Sequence, residues 1–262
     1  MISTGGHLTI LESVDSTNNY AMAMVRTGMA KHGDAFFAMA QTAGKGQRGK
    51  TWVTEPGSNI ILTTVLQPQR QPLQRQFAFS TAMALAASDF FNDYTHGDSS
   101  IKWPNDIYWR DRKAGGILIE NIFGNNAEAA EPGAMHEKSE LTSGHWLWAI
   151  TGMGININQT RFADDIRHPV SLQQITGKTW DVLELTKALC QHIEQRFRQF
   201  MDGTDVLAEY NQRLYKLGET VTFKKETRVF KGTVKGVNAA GQLLLTTAME
   251  EAYNFGEIEW VL

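Results

Sequence analysis

Cysteine is almost missing from this chain: Cys190 is the one cysteine in 262 residues. No disulfide can form within the chain, which fits a reducing compartment and gives cytoplasmic as the expected location. Cys190 falls in a helical pattern among apolar neighbours, the setting of a small buried hydrophobe. Long hydrophobic runs are missing too. Nothing approaches the ~18 apolar residues of a membrane span, and Met1 to His7 lacks the charged and apolar regions of a secretory signal. A basic excess is also lacking, with 25 Lys and Arg against 28 Asp and Glu. That balance argues against a general nucleic-acid binder and makes local cations matter more than net charge. There is no internal repeat and no long low-complexity tract.

What is present is an ordinary globular composition, 42% hydrophobic and 20% charged, over a length sufficient for one large domain and a small one. Strands are expected over Leu8 to Val14, Asp34 to Gln41 and Asn59 to Leu66. A helix capped at Asp15 or Ser16 should run to about Thr27, with Gly28 as its stop. The stretch from Leu73 to Tyr94 has helical periodicity behind Pro72. Short strands follow around Ile101 to Trp103 and Ile107 to Trp109, then a long one through Phe123. Asn125 to Gly144 is polar and reads as an exposed loop. His145 to Ile157 returns as a strand, with Trp146, Trp148 and Ile150 on alternate positions. Val182, Leu185, Leu189, Ile193, Phe197 and Phe200 stripe a helix over Asp181 to Met201, and a shorter helix spans Val206 to Leu214. From Gly218 onward short β runs alternate with turns, giving a small all-β barrel of about 45 residues. At that size it depends on docking against the larger domain.

Five segments carry chemistry. Gly44-Lys45-Gly46-Gln47-Arg48-Gly49-Lys50-Thr51-Trp52 interleaves glycines, which allow close backbone approach, with cations that neutralise phosphate or carboxylate oxygens. Lys102-Trp103-Pro104-Asn105-Asp106-Ile107 reads as a turn, and Lys113-Ala114-Gly115-Gly116 as a Lys entering a strand. Asp15-Ser16-Thr17-Asn18 lies upstream, and Gly152-Met153-Gly154-Ile155-Asn156 downstream. Taken singly these are a solvated basic hairpin, a Pro-Asn-Asp turn, a strand-edge Lys and a helix cap.

Together, and in this order, they resemble the catalytic domain of biotin protein ligases. The resemblance implies an α+β fold: a mixed or antiparallel sheet with helices, class II synthetase-like, over residues 1–215, and an SH3-like barrel over 216–262. It implies a two-step reaction. Biotin's carboxylate attacks the α-phosphorus of ATP, giving biotinyl-5′-AMP and pyrophosphate; a lysine of a biotin carboxyl carrier domain then takes the biotinyl group. Lys113 is the catalytic residue so implied, bridging carboxylate and α-phosphate. Ser16, Thr17, Asn18, Gln41, Gly44, Lys45, Gly46, Gln47, Gly115 and Gly154 fall on the biotin side, again with Lys113. Lys45, Arg48, Lys50, Trp52, Asn105, Lys113 and Asn156 fall on the ATP and adenylate side, with Trp52 suited to stack on adenine. Asp106 is the implied ligand of Mg²⁺, a hard cation that prefers oxygen. The departure is Gln47, where many of these enzymes carry an Arg that contacts the adenylate phosphate. Gln loses the charge and the bidentate fork, which bears on retention of the intermediate.

Competing readings are a lipoate–protein ligase of the same fold, a non-catalytic biotin- or nucleotide-binding module, and an operator-binding repressor. The repressor needs a winged helix-turn-helix ahead of Ser16, where the sequence leaves no room. The expectation is therefore a monofunctional ligase, monomer or homodimer, binding neither DNA nor membrane.

Overall fold

Alternation and helical stripes resolve into two sheets and five helices in the computed structural model, which describes residues 6–69, 71–124, 145–163 and 168–261. The loop expected over Asn125 to Gly144 lies outside these residues. In chain order the elements are β1 (Leu8–Leu11), α1 (Thr17–Arg26), β2 (Ala35–Ala38), β3 (Ile60–Leu66) and α2 (Gln76–Thr95). Then come β4 (Ser99–Lys102), β5 (Asp106–Trp109), β6 (Arg112–Gly124) and β7 (His145–Ile155). The helices α3 (Leu172–Thr176), α4 (Val182–Met201) and α5 (Leu207–Gln212) follow. The chain closes with β8 (Thr220–Lys225), β9 (Arg228–Val237), β10 (Leu243–Thr246), β11 (Glu250–Tyr253) and β12 (Glu259–Val261). The large sheet runs β1-β2-β3-β7-β6-β5-β4, and the small one β11-β10-β9-β8-β12. β1 pairs parallel with β2; the other neighbours in the large sheet are antiparallel. This is the expected α+β class.

Every residue of β3 is buried because the sheet is covered on both faces there, which is why its sequence is apolar at both ends, with Thr63 and Thr64 between. On one face Ile60, Leu62, Ile117, Met153 and Ile155 share a core with Phe79 and Phe90 of α2 and Leu189 and Phe197 of α4. On the other, α1 sets Ala21 against Phe36, Val65 and Ile150. That second cover stops short of the β6 and β7 residues where the site forms.

Three details depart from the sequence expectation. β1 ends at Leu11, and Val14 makes only an isolated bridge to Gln41. Trp146 does not share a face with Trp148 and Ile150. The β6–β7 register shifts between Ile122 and Phe123, a bulge that turns Trp146 onto Phe79, 5.3 Å away, while Trp148 stays with the α1 cluster. The short helix α3 was not anticipated, although its capping box, Ser171 with Gln174, was written in the sequence.

The small sheet shares the large core, to which it contributes Phe223, Val234, Leu243, Leu245 and Tyr253. Trp103 Nε1 donates to the Gly241 carbonyl at 3.0 Å. Asn211 Nδ2 donates to Val237 O at 2.9 Å, and Val237 N–H returns a bond to Asn211 Oδ1 at 2.8 Å.

Candidate active site

The floor of the site is bare backbone. Gly116 lies opposite Gly154, and Leu118 opposite Gly152, on adjacent strands. A Cβ on Gly152 would come within 2.2 Å of Asn18 Oδ1, and one on Gly154 within 2.4 Å of Trp52 Cε2. A Cβ on Gly115 would meet Gly154 O at 2.8 Å, and one on Gly44 would meet Trp52 O at 2.3 Å. Neither Gly152 nor Gly154 has a positive φ; close approach, not backbone conformation, requires these glycines.

A β-bulge aims Lys113 at this floor. Ile107 pairs with Gly115, but the next residue, Tyr108, pairs with Lys113. The skipped residue, Ala114, is fully buried in the core. Lys113 and Gly116, three apart, therefore share a face that a regular strand would deny them. The Lys113 backbone is pinned on both sides: its N–H donates to His168 O and its carbonyl accepts from Val170 N–H, each at 2.8 Å. Its Nζ donates to Asp106 Oδ1 at 2.6 Å and stands 5.8 Å from the centre of the Trp52 ring. The structure thus brings together Lys113, Asp106 and Trp52.

A polar network forms the other end. Ser16 occupies the N-cap position of α1 but its hydroxyl makes no capping bond, so that hydroxyl is not committed to the helix. Thr17 N–H donates to Gln41 Oε1 at 2.8 Å, which leaves Gln41 its amide N–H groups to offer. Thr63 Oγ1 lies 2.8 Å from Thr17 Oγ1 and 2.7 Å from Asn18 Oδ1. Asn18 Nδ2 donates to Glu120 Oε2 at 2.8 Å, and Lys45 Nζ stands 3.9 Å from Glu120 Oε1. Thr63 and Glu120 were not singled out from the sequence. The signal for Glu120 was period-two alternation through Gly116 and Leu118.

Other expected residues do different work. Asn105 Nδ2 donates to Ile117 O, and Asn156 Nδ2 to Val170 O at 3.2 Å and Lys113 O at 3.4 Å. Both amides brace the backbone that carries Lys113. Arg48 is left-handed, φ 55, and its guanidinium lies 5.9 Å over Phe255 of the small domain. Lys50 is exposed, and Gly46 and Gln47 are half-buried. Among the described residues no group of three or more His, Cys, Asp or Glu could hold a metal. Cys190 is buried, and burial pushes its thiol up to about 12, as expected of a packing residue. A cavity of about 540 Å³ lies elsewhere, between Tyr94, Trp109 and Trp180; none of these site residues lines it.

Residues 10–134 match the Biotin/lipoate A/B protein ligase family, and residues 216–260 match the Biotin protein ligase C terminal domain. The biotin–[acetyl-CoA-carboxylase] ligase of Paracoccus denitrificans is 28% identical over 90% of this chain and 92% of its own. The bifunctional ligase/repressor BirA of Escherichia coli is 27% identical over 92% of this chain and 70% of its own. In three dimensions the chain is similar to a biotin protein ligase from Aquifex aeolicus, TM-score 0.75 at 24% identity, covering 97% of this chain and 99% of that one.

Proposed function

The chain belongs to the biotin protein ligase family, and from that premise we propose that it activates biotin with ATP and biotinylates a lysine of a carrier domain. The observation that carries the reading is Lys113, turned by the bulge onto a glycine floor beside Trp52 and Asp106. Attack of a carboxylate on a polyphosphate brings negative charges together. A fixed ammonium at the meeting point stabilises the charge that develops there. Asn156 and Asn105 hold the strand that fixes it. Ser16, Thr17 and Gln41 supply hydrogen-bonding groups for a cyclic urea, and Trp52 a flat surface for adenine. The glycine loop carries Lys45, Arg48 and Lys50 as further cations; to reach a phosphate Arg48 would leave Phe255 and Lys50 its exposed position.

Asp106 offers one carboxylate, which suits Mg²⁺, a cation commonly held by one or two carboxylates together with substrate phosphates. Mg²⁺ brought in with ATP would share Asp106 with Lys113 and screen phosphate charge. We assign residues 1–215 to the catalytic unit and 216–262 to the C-terminal unit, and place the protein in the cytoplasm, where carrier domains of biotin-dependent carboxylases are made.

The deciding experiment mixes purified protein, biotin, MgATP and a biotin carboxyl carrier domain. Avidin-detectable carrier, undiminished by excess lipoate, is the expected outcome. Lipoylated carrier in its place would assign the site to the other branch of the fold.

A further inference from the structure

Arg48 stands at the tip of the glycine loop and touches the other domain. The loop closes on itself: Trp52 N–H donates to Gly44 O at 2.9 Å, and Gly46 N–H to Lys50 O at 2.7 Å. At its tip Arg48 has φ 55, a left-handed conformation uncommon for a residue with a Cβ. Its guanidinium lies over the Phe255 ring, with Cζ 5.9 Å from the centroid. It also lies against the backbone of Gly256, where a Cβ would meet Nη1 at 3.0 Å and Cζ at 3.1 Å. Phe255 is braced in turn by Trp103, ring to ring at 5.8 Å and 81°. We propose that Phe255 and Gly256 form a seat that holds Arg48 off the phosphates until ATP draws it away. Phe255 is then a positioning residue, acting from the small domain on a loop of the large one. The inference rests on the ligase reading.

To pair with a phosphate Arg48 leaves the seat, so the ring and ATP compete for one guanidinium. Phosphate offers the charged, bidentate pairing and is the stronger partner, so the seat yields when ATP binds. Until then the affinity seen for ATP is the intrinsic one reduced by the fraction of molecules with Arg48 released. A cation on an aromatic face at an exposed site shifts that fraction by about two- to fivefold. Phe255 is 48% exposed, so its ring can be changed without opening the core.

Phe255→Leu keeps apolar bulk beside Trp103 and removes the aromatic face, whereas Phe255→Tyr keeps the face. In biotin-dependent pyrophosphate exchange, Phe255→Leu should lower KM for ATP by about two- to fivefold and leave kcat unchanged. Phe255→Tyr should match the wild type. In an Arg48→Ala background the leucine change should do nothing, because the seat then has no occupant. A second readout needs no activity. Trypsin cuts after Arg48 once the tip is drawn into an extended form. Ligand-free Phe255→Leu should therefore be cut there about two- to fivefold faster than the wild type or Phe255→Tyr, as mass spectrometry of the fragments would record. Phe255→Met serves in place of the leucine variant if that one melts early. A KM for ATP that is unchanged or raised, or equal cleavage in all variants, would overturn the seat. No exchange by the wild type would instead overturn the ligase reading, with the cleavage rates still deciding the seat.

Discussion

The ammonium of Lys113 and the amide of Gln47 carry opposite lessons about single residues. Lys113 is held by its backbone on both sides and by Asp106 at its tip, so it is positioned before substrate arrives. Lys113→Ala should lower biotin-dependent pyrophosphate exchange by at least ~100-fold with an unchanged thermal melt. Near-normal exchange would remove it from its role. Gln47 supplies no charge where many such enzymes carry Arg. Gln47→Arg would add one charged hydrogen bond, about 1.5–3 kcal/mol, and should lengthen the lifetime of bound biotinyl-5′-AMP by roughly 10- to 100-fold. A chase that follows loss of labelled adenylate checks this, and equal or faster loss would mean that Lys45, Arg48 and Lys50 already suffice.

Among the elements, β6 and β7 matter most, because their glycines let other segments lie directly on the sheet. A methyl on Gly154 would collide with the Trp52 indole, whose Cε2, Nε1 and Cζ2 atoms all lie within 2.7 Å of its position. Gly154→Ala should therefore displace Trp52 and weaken ATP use, while the strand itself tolerates alanine. The same change in a Trp52→Ala background should be far milder. The coupling from that double-mutant cycle is the measurement; additive effects would show that Trp52 does not depend on the glycine floor. The bulge at Ala114 is an element-scale feature of the same kind. In a regular strand Lys113 and Gly116, three residues apart, would lie on opposite faces.

Over the whole molecule, the helices are tied to one another by charge as well as by packing. Arg196 of α4 is bonded to Asp89 of α2 and Glu209 of α5, and Arg213 to the same two carboxylates. Burial raises the Asp89 carboxyl, but the bonds from Arg196 and Arg213 outweigh it and hold the group below its ordinary value. The Arg196 bond, first among its causes, does the same for Glu209. Groups so depressed stabilise the fold above their unfolded pKa values, about 4, and lose that contribution as pH falls through the lower folded values. Arg196→Met should cost about 3–5 kcal/mol at pH 7, toward the lower end because Arg213 remains. The gap from wild type should shrink in denaturant melts near pH 3; a gap independent of pH would mean that Arg196 stabilises by packing alone. The small sheet covers Trp103 and packs Trp260 against Tyr215 at 5.7 Å. A chain ending at residue 215 should melt well below the full chain or aggregate, as differential scanning calorimetry would record.

The sequence by itself determined the order of the elements apart from α3, the stripe of α4 and the identity of the chemical segments. Those are local matters of periodicity, caps and residue type, and they survive folding unchanged. Trp146 and Lys113 show what it could not determine: a bulge in the pairing with a neighbouring strand decides which face a side chain takes, and neither residue type nor spacing along the chain sets where that pairing slips. The same holds for the amides of Asn105 and Asn156. Their residue type suits a nucleotide contact, but their protons go to carbonyls that only the folded backbone brings near. Glu120 stands beside Asn18 across 102 positions of chain. That proximity exists only because β6 runs through the sheet beneath the start of α1.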